Sequence, residues 1–129
     1  DIGITNFLTK RNSIEQGNET FGKILEHFIY CELKAYQNYV DQDAELNFWR
    51  SQSQFEVDFV WNSTVGIEVK SSEKINSKDE KGLHALEEEI PKLRKIIVCF
   101  ERRYRKTDSG VEIFPVLEFL KSLWGSKLF

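Results

Sequence analysis

The sequence contains no methionine, only two prolines and only two cysteines among its 129 residues. Without an initiator residue, the chain is expected to be a fragment of something longer. Cys31 and Cys99 lie far apart and form no CxxC pair. This spacing excludes a zinc framework and a disulfide-stapled secreted scaffold, and both thiols read as reduced core residues of a cytoplasmic protein. No apolar run approaches the roughly 18–20 residues that span a bilayer, and the opening DIGITNFLTKRN has no signal-peptide core. A G-x-x-x-x-G-K-[ST] loop is also missing, so these residues do not hold ATP by a Walker motif. Nor is there an overall positive charge. The net −3 argues against a histone-like coat on nucleic acid.

What is present is 40% apolar and 13% aromatic residues, enough for one core in a chain too short for two. The charge is uneven: −8 over residues 1–90 and +5 over residues 91–129. Much of the excess lies in KLRK (92–95) and ERRYRK (101–106). Such a stretch is either a local anion-binding lobe or a solvated basic loop.

Residues 1–18 are polar and read as a linker or tether to an upstream region, leaving 19–129 as one domain. From Glu19, apolar residues Phe21, Leu25, Phe28, Ile29 and Leu33 recur at three- and four-residue spacing, predicting a helix to about Tyr39. A first strand is expected over 45–51. In FEVDFVW (55–61) alternation puts Phe55, Val57, Phe59 and Trp61 on one face, with Glu56, Asp58 and Val60 on the other. VGIEVKS (65–71) alternates likewise, and the short polar break between them predicts a hairpin. Ser77 and Glu80 form an S-x-x-E capping box before a helix with the stripe Leu83, Leu86, Ile90, which Pro91 stops. RKIIVCF (94–100) reads as a strand buried on both faces, VEIF (111–114) as another, and Pro115 opens a last apolar helix. The fold class is therefore α/β, a mixed sheet flanked by helices in the order αβββαββα.

A three-residue hairpin loop centred on Ser63 pairs Trp61 with Val65 and, counting back, Asp58 with Glu68. Facing carboxylates repel, and a hard divalent cation offsets that repulsion well. Lys70 lies one step along the same face, placed to hold an attacking water or to neutralise charge on a phosphate. The competing reading is a solvent-facing ion network on an antiparallel sheet. Glu26 lies on the Gly22–Glu26–Ile29–Leu33 row of the first helix, at the border of its buried stripe, where an acid is either partly buried or snorkels outward. His27 and His84 are read as having no carboxylate or Cys at metal-ligand spacing. Ser71 and Ser72 have no base placed for a triad.

These residues resemble the PD-(D/E)XK nuclease superfamily: D58-x9-E68-V69-K70 on a hairpin behind a helix that carries a glutamate. Glu56-Val57 stands before Asp58 where the motif name has a proline. More narrowly, FGKILEHFIYCEL, FWRSQSQFEVDFVW, GIEVKSS, GLHALEEEIP and FPVLEFLKSLW are similar to the C-terminal domain of unknown function that follows the P-loop domain in many prokaryotic AAA-type ATPases. The resemblance covers nearly all of residues 1–124 and implies a restriction-endonuclease-like core. It implies metal-binding roles for Asp58 and Glu68, catalytic roles for Lys70 and Glu26, and Mg2+ or Mn2+ as the ion. DNA and an upstream P-loop ATPase domain in the same chain are the expected partners, with Arg102, Arg103, Arg105 and Lys106 on DNA phosphates. The expected activity is hydrolysis of DNA phosphodiesters. The alternative is a catalytically inactive DNA- or protein-binding module of the same ATPase.

Overall fold

Helix α1 (Glu19–Tyr39) has the predicted limits. Phe21, Leu25, Ile29, Leu33 and Tyr36 form its buried row, the spacing that turns one stripe of a helix toward a core. The computed structural model describes residues 19–129, so the expected tether over 1–18 lies outside the described residues. Strands β1 (Leu46–Arg50), β2 (Glu56–Trp61) and β3 (Val65–Val69) follow, then a 3-10 turn (Ser77–Glu80) that runs into α2 (Lys81–Glu89). The chain continues through β4 (Arg94–Cys99), β5 (Arg105–Lys106), β6 (Val111–Pro115) and α3 (Val116–Trp124). Among the described residues no helix is long and apolar enough to cross a membrane.

The six strands make one mixed sheet in the order β1-β2-β3-β4-β6-β5. β4 runs parallel to both β3 and β6, and the remaining pairs are antiparallel. Helices α1 and α3 cover one face, where Ile67, Ile96 and Val98 meet Leu25, Ile29 and Phe119. Helix α2 covers the other, with Leu83 and Leu86 against Val60, Ile97 and Ile113. Buried on both faces, β4 is the apolar strand its sequence predicts. Gly66 of β3 lets α2 close in: a Cβ there would stand 2.9 Å from a Leu83 methyl.

The structure departs from the sequence reading at four places in this frame. β5 is an extra two-residue strand inside the expected basic turn, too short to carry any period. The capping box is Asn76 with Asp79, one residue before the predicted Ser77 and Glu80, and it caps the 3-10 turn. Cys99 is buried but Cys31 is exposed, and both are free.

The fourth departure shapes the site. From Asn47↔Val60 to Trp49↔Val57, β1 advances two residues while β2 advances three. This is a β-bulge, and it resets the two-residue alternation. Val57 consequently joins Val60 on the α2 side, while Phe59 and Trp61 face α1. The expected common face of Phe55, Val57, Phe59 and Trp61 is broken at Val57, and Phe55 remains exposed. The extra residue lies in the Asp58–Phe59 stretch opposite Phe48.

Candidate functional site

The hairpin register is the predicted one, Trp61↔Val65 and Phe59↔Ile67. One step further, side chains take over from the backbone ladder. The Val69 N–H donates to Asp58 Oδ2 (2.8 Å), and the Asp58 N–H donates to Glu68 Oε1 (3.2 Å). Beside the bulge, the Asp58 carboxyl also comes within hydrogen-bonding reach of the carboxyls of Glu68 and Glu26. Helix α1 delivers Glu26 from the edge of its buried stripe, half-buried as the projection suggested. The helix passes close to the segment after β3, since a Cβ on Gly22 would stand 3.6 Å from Ser71 Oγ. Asp58 thus stands between Glu68 and Glu26 near the carboxyl end of β3, linking the three carboxyls in a row.

This meeting is electrostatically unfavourable. Glu68 is 7% exposed. Burial first, then the contact and charge of Asp58, push its carboxyl up to about 9, against a smaller opposing effect of Lys70. Glu26 is also raised, by burial and then by Asp58, with Glu56 adding to it and Lys23 opposing. At neutral pH such a cluster retains a proton that a solvated carboxyl would release. Lys70 holds its place through its own N–H, which donates to Val98 O (2.9 Å). Among the described residues no hydrogen bond or ion pair occupies its ammonium. A cleft of about 250 Å³ on the β1–β2 side opens Glu26 and Asp58 to solvent, while Glu68 and Lys70 lie outside its lining. Its rim carries Phe48, Trp49 and the ion-paired Arg50 and Glu56.

Among the described residues no three His, Cys, Asp or Glu side chains already surround one point as metal ligands do. Asp58 and Glu68 each direct one oxygen to a main-chain N–H, which leaves each of them one oxygen to offer an ion. All donors are carboxylate oxygens, the hard ligands suited to Mg2+ or Mn2+.

The four cations of the expected phosphate-binding loop have different surroundings. Arg105 pairs with Glu101 through Nε (2.8 Å) and Nη2 (2.9 Å), and Nη2 also donates to Ile75 O (3.0 Å). Lys106 lies across β6 from Glu112, and Arg102 and Arg103 are exposed. The loop leaves the carboxyl end of β4, the end at which its parallel neighbour β3 delivers Lys70. Ligands of α/β sheets gather at that end of the strands.

Sequence reasoning missed Glu101, which meets Arg105 across a bend where a four-residue spacing carries no helical signal. It also missed what surrounds the histidines. His84 Nε2 lies 3.2 Å from Glu80 Oε1, and His27 Nε2 lies 3.5 Å from Cys31 Sγ. Both are i,i+4 pairs. Glu80 sits at the N-cap of α2 without a side-chain capping bond; its carboxyl is buried and accepts hydrogen bonds from Ser109 Oγ (2.5 Å) and Thr107 Oγ1 (3.2 Å).

The sequence profile of a family described as a domain of unknown function (DUF4143) matches residues 21–119. The chain belongs to this family. No curated protein and no solved structure matches it.

Proposed function

For this member of the DUF4143 family we propose a divalent-metal-dependent phosphodiesterase domain acting on DNA. The observation that carries the reading is the Asp58 carboxyl in contact with both Glu26 and Glu68. A cluster that keeps a proton for lack of a counter-charge is suited to exchange that proton for an ion. Asp58 and Glu68 would hold the ion, and Glu26 would complete its outer shell or bind a second one. Mg2+ or Mn2+ bound there would polarise a phosphoryl oxygen and lower the pKa of a bound water. The Lys70 ammonium, without a partner among the described residues, would orient that water and stabilise the charge that grows on the phosphate oxygens. The Lys70–Val98 main-chain hydrogen bond fixes where that ammonium starts from.

On the resemblance, the domain works in the cytoplasm, downstream of a P-loop ATPase domain in the same chain. The runner-up is a non-catalytic module of the same ATPase that uses this fold to bind DNA or a protein. Leu117 and Trp124, exposed on α3 beside its buried row, favour a docking role of that kind.

The test is incubation of the purified chain with single-stranded, duplex and branched DNA in Mg2+ or Mn2+. The expected outcome is nicking or cleavage that EDTA stops and Lys70→Ala abolishes while the variant remains folded. Intact DNA under all these conditions returns the domain to the non-catalytic reading.

A further inference from the structure

The loop after β4 is anchored at three points. Glu101 Oε2 accepts from the Ile75 N–H (2.7 Å) as well as from Arg105. The Tyr104 hydroxyl donates to Glu112 Oε1 (3.0 Å), and its ring packs edge-on against Phe114. The segment facing the loop, which begins with Lys70, is joined to β4 by Lys70 N–H to Val98 O and by Phe100 N–H to Ser72 O (3.0 Å). Glu101, Tyr104 and Arg105 are thus fixed. Between them Arg102 and Arg103 stand exposed on a bend. Arg102 and Lys74 border a cleft of about 550 Å³, with Glu73, Glu101 and Arg105 in its wall. Arg105 and Lys74 hold the Glu101 carboxyl ionised, which leaves Glu73 as the opposing charge there.

We infer that the loop divides its cations by role: Arg105 is a brace, while Arg102, Arg103 and Lys74 take the phosphates of a polynucleotide strand. The assignment of a polynucleotide rests on the phosphodiesterase reading of the neighbouring carboxyls. The division itself rests on the hydrogen bonds. A guanidinium that commits Nε and Nη2 to Glu101 and Ile75 keeps Nη1 alone for a ligand, whereas the two guanidiniums on the fixed bend have no partner among the described residues and present whole forks to phosphate oxygens. Anchoring on both sides also reduces the side-chain and loop freedom that binding would have to remove. The grouping departs from the expected patch of Arg102, Arg103, Arg105 and Lys106 by replacing its last two members with Lys74.

The experiment is fluorescence anisotropy of a labelled DNA duplex and of its single strand, titrated with the full chain in EDTA over a range of salt. Changing Arg102 and Arg103 together to Gln should reduce the slope of log affinity against log salt by about two, and Lys74→Gln by about one. Arg105→Gln should lower the melting temperature and, below it, leave the slope unchanged. A double variant with the wild-type slope overturns the assignment, as does a folded Arg105→Gln whose slope falls as far as that of the double variant. EDTA keeps this measurement independent of the carboxyl site. A wild type that binds with these slopes but never cleaves in Mn2+ overturns the phosphodiesterase reading alone. One that cleaves while the double variant keeps its slope overturns the loop assignment alone.

Discussion

Glu68 on β3 and Glu112 on β6 flank the same central strand, yet their surroundings are opposite. Burial pushes Glu112 up, but this is outweighed by hydrogen bonds from Arg94 (2.6 and 3.0 Å) and Tyr104 (3.0 Å), so it ionises below its ordinary range. Glu68 is buried beside another carboxyl, receives one main-chain N–H and is countered, among the described residues, by the charge of Lys70, so it ionises far above that range. The first glutamate closes an ion pair that ties β6 to the central strand β4. The second is left short of positive charge, and such a deficit is kept where chemistry uses it. One side chain, in two settings at the same sheet, is paired in one and, on the proposed reading, awaits an ion in the other.

The comparison is most sharply tested by removing each cation. Lys70→Ala should reduce metal-dependent cleavage by about 100-fold or more, with little change in melting temperature, because its ammonium holds no structural bond. Arg94→Ala should do the reverse. It leaves Glu112 half-paired and removes the Arg94 Nη1 bond to Leu128 O (2.8 Å), costing about 2 kcal/mol in a denaturant titration. A result in which Arg94→Ala is neutral and Lys70→Ala unfolds the chain would invert the assignment of roles.

Smaller and opposite in sign is Glu68→Gln. Its amide keeps an acceptor for the Asp58 N–H and offers a donor to the Asp58 carboxylate, imitating the protonated acid. It should stabilise the chain at neutral pH by about 1–2 kcal/mol in the same titration. The pH profile follows from the same shift. Because the folded state keeps a proton that the unfolded chain has released, this contribution is complete below about 4.5. It declines as pH rises and is lost through about 9. Melting temperature should therefore fall from mildly acidic to alkaline pH in the wild type, and less steeply in Glu68→Gln. Equal slopes would remove Glu68 as the source.

Much of this site was legible in the sequence because it depends on counting. The break at Asn62-Ser63-Thr64 fixes the Trp61↔Val65 register, and counting on from it brings Asp58 to Glu68, whose Oε1 accepts from the Asp58 N–H. The row through Gly22, Glu26 and Ile29 placed Glu26 at a half-buried border. The bulge was not legible, because alternation carries no mark where a residue is inserted, and so Val57 was assigned to the wrong face. Asn76 and Ser77 are equally good cap residues, each with an acid three positions on, and the S-x-x-E pattern points to Ser77, one residue past the true cap. Which basic residues are free depends on Glu101 reaching both Arg105 and Ile75, a contact across 26 residues to Ile75 that no local pattern encodes.

The central claim is that the carboxyls of Asp58, Glu68 and Glu26 together accept a divalent ion. The most direct measurement is the thermal unfolding of wild type and Asp58→Asn over a Mn2+ titration at neutral pH. The account predicts a melting temperature that climbs with Mn2+ in the wild type and stays flat in Asp58→Asn, since an ion that binds only the folded chain stabilises it by mass action. A wild type indifferent to Mn2+, or an Asp58→Asn that climbs equally, would contradict it.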